Sequence, residues 1–78
     1  MSGPVEKIFA EVLGIPIDLI KETSTPESLP KWDSATAIDL VLAIEDEFRI
    51  RLSTKEIMTM RSIALVKKVL ATKGVTNV

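Results

Sequence analysis

The chain contains no cysteine and no histidine. Without cysteine there is no disulfide framework and no thiolate metal site, and without histidine the commonest general base and metal ligand is missing. Any thiol or imidazole chemistry has to be brought in from outside the chain. No paired-carboxylate site and no phosphate-cradling glycine loop stands in the sequence, so an enzyme is not expected. No apolar run approaches the roughly 18 residues of a membrane span. The N-terminal "MSGPVEKIF" is charged within a few residues and broken in its apolar positions, unlike a signal peptide. The expectation is a soluble, cytoplasmic protein. There is also no internal repeat, no low-complexity segment and no convincing strand pair: "FRIRLS" alternates over Phe48, Ile50 and Leu52 but has nothing to pair with.

What is present is 78 residues, one small domain over 1–78, near the size at which a single core barely offsets the entropy of ordering the chain. The net charge of −1 conceals a division. Residues 1–48 hold ten acids and three bases, about −7, whereas residues 49–78 hold one acid, Glu56, and seven bases, about +6. Such a split either guides a partner or draws the two parts of the fold together. Nucleic acid is disfavoured as that partner, because the bases come with no aromatic platform and follow an acidic first half.

The periodicity predicts helices. In "VEKIFAEVL", Val5, Ile8, Phe9, Val12 and Leu13 share one face, with Ser2 as a cap, Pro4 in the first turn, and Gly14 and Pro16 as the stop. Residues 14–33 carry Pro16, Pro26 and Pro30 around a polar "KETSTPES", which predicts a long loop. Ile17, Leu19, Ile20, Leu29 and Trp32 are its candidate anchors, with a short helical turn about 17–22. A second helix is expected over 35–48, capped by Asp33 or Ser34. "STKE" gives Ser53 and Glu56 the spacing of a capping box and announces a short third helix. Ser62 caps a fourth over 63–72, with Ile63, Val66, Val69 and Leu70 inward and Gly74 as the stop. The fold class is all-α: three main helices and one short one, a long first loop, an ordered core over about 4–72 and a loose tail at 75–78.

The second helix carries two apolar stripes. At roughly 100° per residue, Ala37, Leu40, Val41, Ile44 and Phe48 fall on one arc and make a core face. Ala35, Ile38 and Leu42 fall almost opposite, beginning one residue after Ser34 and bordered by Asp39, Glu45 and Asp46. The other helices have one clear stripe each, so little remains to cover this second face, and a partner contact is expected there.

Ser34 admits several readings. A serine at a helix start is ordinarily a cap, worth about 1 kcal/mol. A nucleophile needs a positioned base, and neither a histidine nor a glycine-bordered elbow is available. As an acceptor, its hydroxyl would place an attached phosphate at the positive end of the helix macrodipole.

The stretch "WDSATAIDLVLAIEDEF" resembles the recognition helix of acyl carrier proteins, whose usual pattern is Asp-Ser-Leu followed by an apolar and acidic helix ending in Glu-Glu-Phe or similar. "LSTKEIMTMRSIALVKKVL" looks like the third and final helices of that family, and the resemblance extends over about residues 4–72. It implies a four-helix carrier loaded by a phosphopantetheinyl transferase from coenzyme A. Ser34 would bear the 4′-phosphopantetheine arm, with Asp33 as the adjoining acid of the motif. Ala35, Ile38 and Leu42 would be apolar contacts for acyl-loading and acyl-processing enzymes, and Asp39, Glu45 and Asp46 acidic ones. Leu40, Ile44, Leu52, Ile57, Met60 and Val66 match positions lining an interior that can shelter an acyl chain. The arm supplies the missing thiol, and cargo travels on it as a thioester. The resemblance further suggests a monomer serving a fatty-acid or polyketide-type pathway.

Two features depart from the family pattern. Ala35 replaces the usual leucine, removing apolar area beside the attachment point. The basic second half, including Arg49, Arg51, Lys55 and Arg61, contrasts with the acidity of primary-metabolism carriers and points to a specialised pathway. A peptidyl or aminoacyl carrier would use the same serine, though such modules more often have glycine where this chain has Trp32. An unmodified helical interaction module is the alternative that Ala35 favours.

Overall fold

Pro4 opens the first helix, α1 (Pro4–Leu13), where its fixed φ suits the helix and its missing N–H costs nothing. The structure, a computed structural model, describes residues 3–78. The cap expected at Ser2 lies outside the described residues. Gly3 takes the capping position, and its N–H donates to Glu6 Oε1 at 3.0 Å. Gly14 ends α1 at φ 67°, a left-handed conformation natural to glycine. The remaining helices are α2 (Ser34–Phe48), α3 (Thr54–Thr59) and α4 (Ile63–Thr72), with a single 3-10 turn at Ile17–Leu19 and no strand among the described residues. The all-α bundle with a long first loop is as the sequence predicts.

The loop is ordered by two devices. Ile20, Leu29 and Trp32 are buried, and the Trp32 ring meets Phe9 of α1 edge to face, centroids 4.8 Å apart. The loop backbone also receives the start of α4: Ile63 N–H donates to the Ser24 carbonyl at 3.1 Å and Ala64 N–H to the Glu22 carbonyl at 3.0 Å. Ser62 Oγ accepts from Leu65 N–H, so three orphan donors of that helix end are satisfied. Leu19, a candidate anchor, instead faces solvent at 55% exposure. The one-turn 3-10 segment leaves too little regular structure to turn both Leu19 and Ile20 inward.

Helix α1 packs against α2 and α4, and α3 against α4. Val5, Phe9, Ile44, Ile63, Val66 and Leu70 are the largest fully buried side chains. On α2, Leu40 and Ile44 are buried while Ala37, Val41 and Phe48 are half-buried. The segment expected to be a loose tail carries Val75 and Val78 against the core, with Val5 N–H donating to the Val78 carbonyl at 3.4 Å.

Three of the four ion pairs among the described residues join the acidic first part to the basic second: Lys67 to Glu6 at 2.6 Å and to Glu22 at 3.5 Å, and Arg61 to Glu27 at 3.5 Å. Lys73 pairs with Glu56 at 2.8 Å. Burial raises the Glu6 carboxyl, but the hydrogen bond from Lys67, backbone N–H donors and the Lys67 charge together hold it below its ordinary value. The Lys67 ammonium is raised in turn, chiefly by its hydrogen bond to Glu6. Attraction across the fold thus accounts for Arg61 and Lys67, while no ion pair among the described residues engages Arg49, Arg51, Lys55 or Lys68.

Candidate functional site

The head of α2 decides between the two candidate caps. Asp33 has extended backbone and its Oδ1 accepts from the N–H groups of Ala35 and Thr36, each at 3.0 Å. Thr36 Oγ1 answers by accepting from Asp33 N–H at 2.9 Å and donating to the Lys31 carbonyl at 2.7 Å. The Thr36 N–H is the largest of several donors that hold the Asp33 carboxyl below its usual range. Ser34 is therefore not the cap. It is the first residue of the helix, exposed, and no hydrogen bond among the described residues involves its hydroxyl. A serine relieved of capping is free for chemistry.

Beside it lies a cleft of about 360 Å³ between the α2 head and α3. Trp32, Ala37, Ile57, Met58 and Met60 form its apolar wall, and Asp33 and Arg61 are the charged side chains lining it. Met58, 71% exposed, was not singled out from the sequence. Ile57 and Met58 are neighbours about 100° apart on the six-residue α3, and here Ile57 is half-buried while Met58 is exposed.

The second stripe of α2 is exposed along its length. Ala35 is exposed, Ile38 is 64% exposed and Leu42 59%, with Asp39 and Asp46 exposed alongside. Glu45 is placed differently. It is half-buried, and its Oε2 accepts from Leu52 N–H at 2.8 Å, tying α2 to the connection before α3.

Of the residues matched to an interior pocket, Leu40, Ile57, Met60 and Val66 surround a void of about 30 Å³ with Phe9 and Trp32. Ile44 is fully buried elsewhere and Leu52 is half-buried, so the structure does not bring these two to the void. That void is less than a tenth of the outer cleft's 360 Å³. Trp32, Ala37, Ile57 and Met60 line both the void and the outer cleft and so form the partition between them.

A free, exposed hydroxyl at a helix start, an apolar-walled cleft beside it and an arginine lining that cleft suit a phosphate-linked group. Residues 4–70 match the phosphopantetheine attachment site family. A search of curated proteins finds no match to the chain. Members of the family bind 4′-phosphopantetheine covalently, act as carriers rather than catalysts, and work with transferases and acyl-processing enzymes. No helix among the described residues is long and apolar enough to cross a membrane. With the matched region running from the start of α1 to the last buried leucine of α4, the chain belongs to the phosphopantetheine attachment site family and is a phosphopantetheine-carrying protein.

Proposed function

We propose that the chain is an acyl carrier protein whose arm is attached at Ser34 and whose partners read the exposed stripe of α2. The observation that carries this reading is the division of labour at the helix head: Asp33 does the capping, leaving the Ser34 hydroxyl exposed and unbonded beside Ala35, Ile38 and Leu42. Loading forms a bond from Ser34 Oγ to the phosphorus nearest the pantetheine of coenzyme A and breaks the pyrophosphate bond. The nucleotide leaves as a bisphosphate, and the hydroxyl proton passes to a base on the transferase.

Once attached, the arm supplies the thiol that the chain lacks, and acyl groups are carried on it as thioesters. The protein supplies the address. Ile38 and Leu42 give apolar contact, Asp39 and Asp46 orient a basic partner, and Glu45 serves mainly to hold the Leu52 backbone, with only part of its carboxylate left for a partner. The exposed stripe is small, which suits a carrier that must release after each delivery. Cargo that enters the interior does so by displacing Ile57 and Met60, since the 30 Å³ void accommodates no acyl chain as it stands. We assign the protein to the cytoplasm, as a monomer, in a specialised fatty-acid or polyketide-type pathway. The support for the last point is the set of bases, Arg49, Arg51, Lys55 and Lys68, that no ion pair among the described residues engages.

Intact mass spectrometry tests the reading. Coenzyme A and a phosphopantetheinyl transferase should add one pantetheine phosphate to the wild type. Failure with every transferase tried, including any encoded beside the gene, would favour the unmodified interaction module.

A further inference from the structure

Arg61, which lines the cleft, and its ion-pair partner Glu27 have a relationship that goes beyond attachment. Arg61 lines the cleft together with Ser34 and is the only cation among the described residues that does so. Its ion pair with Glu27 is long, at 3.5 Å, and both side chains are well exposed, 64% and 74%. Such a pair is weak and exchanges easily in water. The other charged side chain lining the cleft, Asp33, has Oδ1 committed to the α2 cap, and among the described residues Arg61 forms no ion pair with it. A phosphodiester attached at Ser34 would enter this cleft as a new anion. A guanidinium is the side chain best matched to phosphate, because its planar fork donates two parallel hydrogen bonds.

We infer that Arg61 is an arm-positioning residue: it leaves Glu27 to pair with the phosphodiester at Ser34 and so lays the arm along the apolar wall formed by Ile57, Met58 and Met60. Glu27 is the competitor that keeps this pairing reversible. The arm then alternates between a docked state in the cleft and a free state that reaches a partner's active site, and Glu27 sets the balance. The inference rests on attachment at Ser34.

A purely structural clip between the first loop and the α3–α4 connection predicts something different. Removing either end of a clip has the same effect, whereas removing a ligand's partner and removing its competitor have opposite effects. The experiment is ³¹P NMR of the loaded protein, with loading verified first by intact mass. The phosphodiester shift, referenced to the same loaded chain unfolded in urea, reports the docked fraction. Arg61→Gln should lower the docked-to-free ratio by about two- to fivefold, the range that an exposed ion pair supports. Arg61→Lys should restore part of it, and Glu27→Gln should raise it above the wild type. Added salt should move the wild type toward Arg61→Gln. A phosphorus signal indifferent to Arg61→Gln, or Glu27→Gln and Arg61→Gln shifting it in the same direction, overturns the inference and leaves the carrier reading intact. A chain that takes up no arm overturns both.

Discussion

Replacing Leu42 by aspartate separates the two faces of α2 more sharply than any other single exchange. Leu42 is 59% exposed in mid-helix, so its removal opens no cavity. The fold loses only the helix-propensity difference between leucine and aspartate and gains like-charge neighbours one turn away at Asp39 and Asp46. Together these cost about 1 kcal/mol. Ile44, two residues along and fully buried, is the control: Ile44→Ala should cost about 2–5 kcal/mol. Docking follows the reverse order. If a partner covers the exposed part of Leu42, on the order of 100 Å² of apolar surface, the leucine contributes about 2 kcal/mol to the contact, roughly a 30-fold change in affinity. The assay pairs urea unfolding, followed by the fluorescence of the single tryptophan Trp32, with the loading rate by a transferase at limiting carrier concentration. Leu42→Asp should unfold cooperatively near the wild-type midpoint and load about 30-fold more slowly. A loss of stability on the scale of Ile44→Ala, or a loading rate unchanged by Leu42→Asp, would refute the two-face account.

Two further predictions concern the fold. Lys67→Met leaves the buried Glu6 carboxylate without its ammonium partner and should destabilise the protein by about 1–3 kcal/mol at neutral pH. Because the Glu6 carboxyl is held below its ordinary value in the folded protein, its stabilisation is present above the unfolded value of 4.5 and is lost as pH falls through the folded one. The gap between Lys67→Met and wild type should therefore narrow in acid, and denaturation curves showing a pH-independent gap would contradict the assigned role. Arg49 ends α2 at φ 54°, a left-handed conformation disfavoured for a residue with a Cβ, and no ion pair among the described residues holds it. Arg49→Gly should raise stability by about 0.5–1 kcal/mol, and a lowered thermal midpoint would show that the arginine side chain matters more than its backbone.

Helix limits were legible where a single residue type settles them. Gly14, Ser53 and Ser62 each do in the structure what their chemistry dictates, because a left-handed turn or an N-cap depends on a few neighbouring atoms. The exposure of Ile38 and Leu42 was legible because α2 is four turns long, enough for its periodicity to separate two faces. The choice between Asp33 and Ser34 was not, since both are good caps. It turned on Thr36, whose hydroxyl bonds back to Asp33 N–H and Lys31, a contact fixed by the path of the preceding loop. The part played by Glu45 was hidden for a similar reason: its partner, Leu52 N–H, lies seven residues away across the end of the helix. Arg61 was visible only as one base among seven until the loop brought Glu27 beside it and α3 placed it at the cleft.

The central claim is that the Ser34 hydroxyl receives the arm. Its most direct measurement is the intact mass of wild-type protein and Ser34→Ala after incubation with coenzyme A and a transferase that loads the wild type. The account predicts one pantetheine phosphate on the wild type and none on Ser34→Ala, with the variant as stable as its parent to within a few tenths of a kcal/mol, since Asp33 holds the cap. The same mass gain on Ser34→Ala would place the arm on another residue and contradict the account.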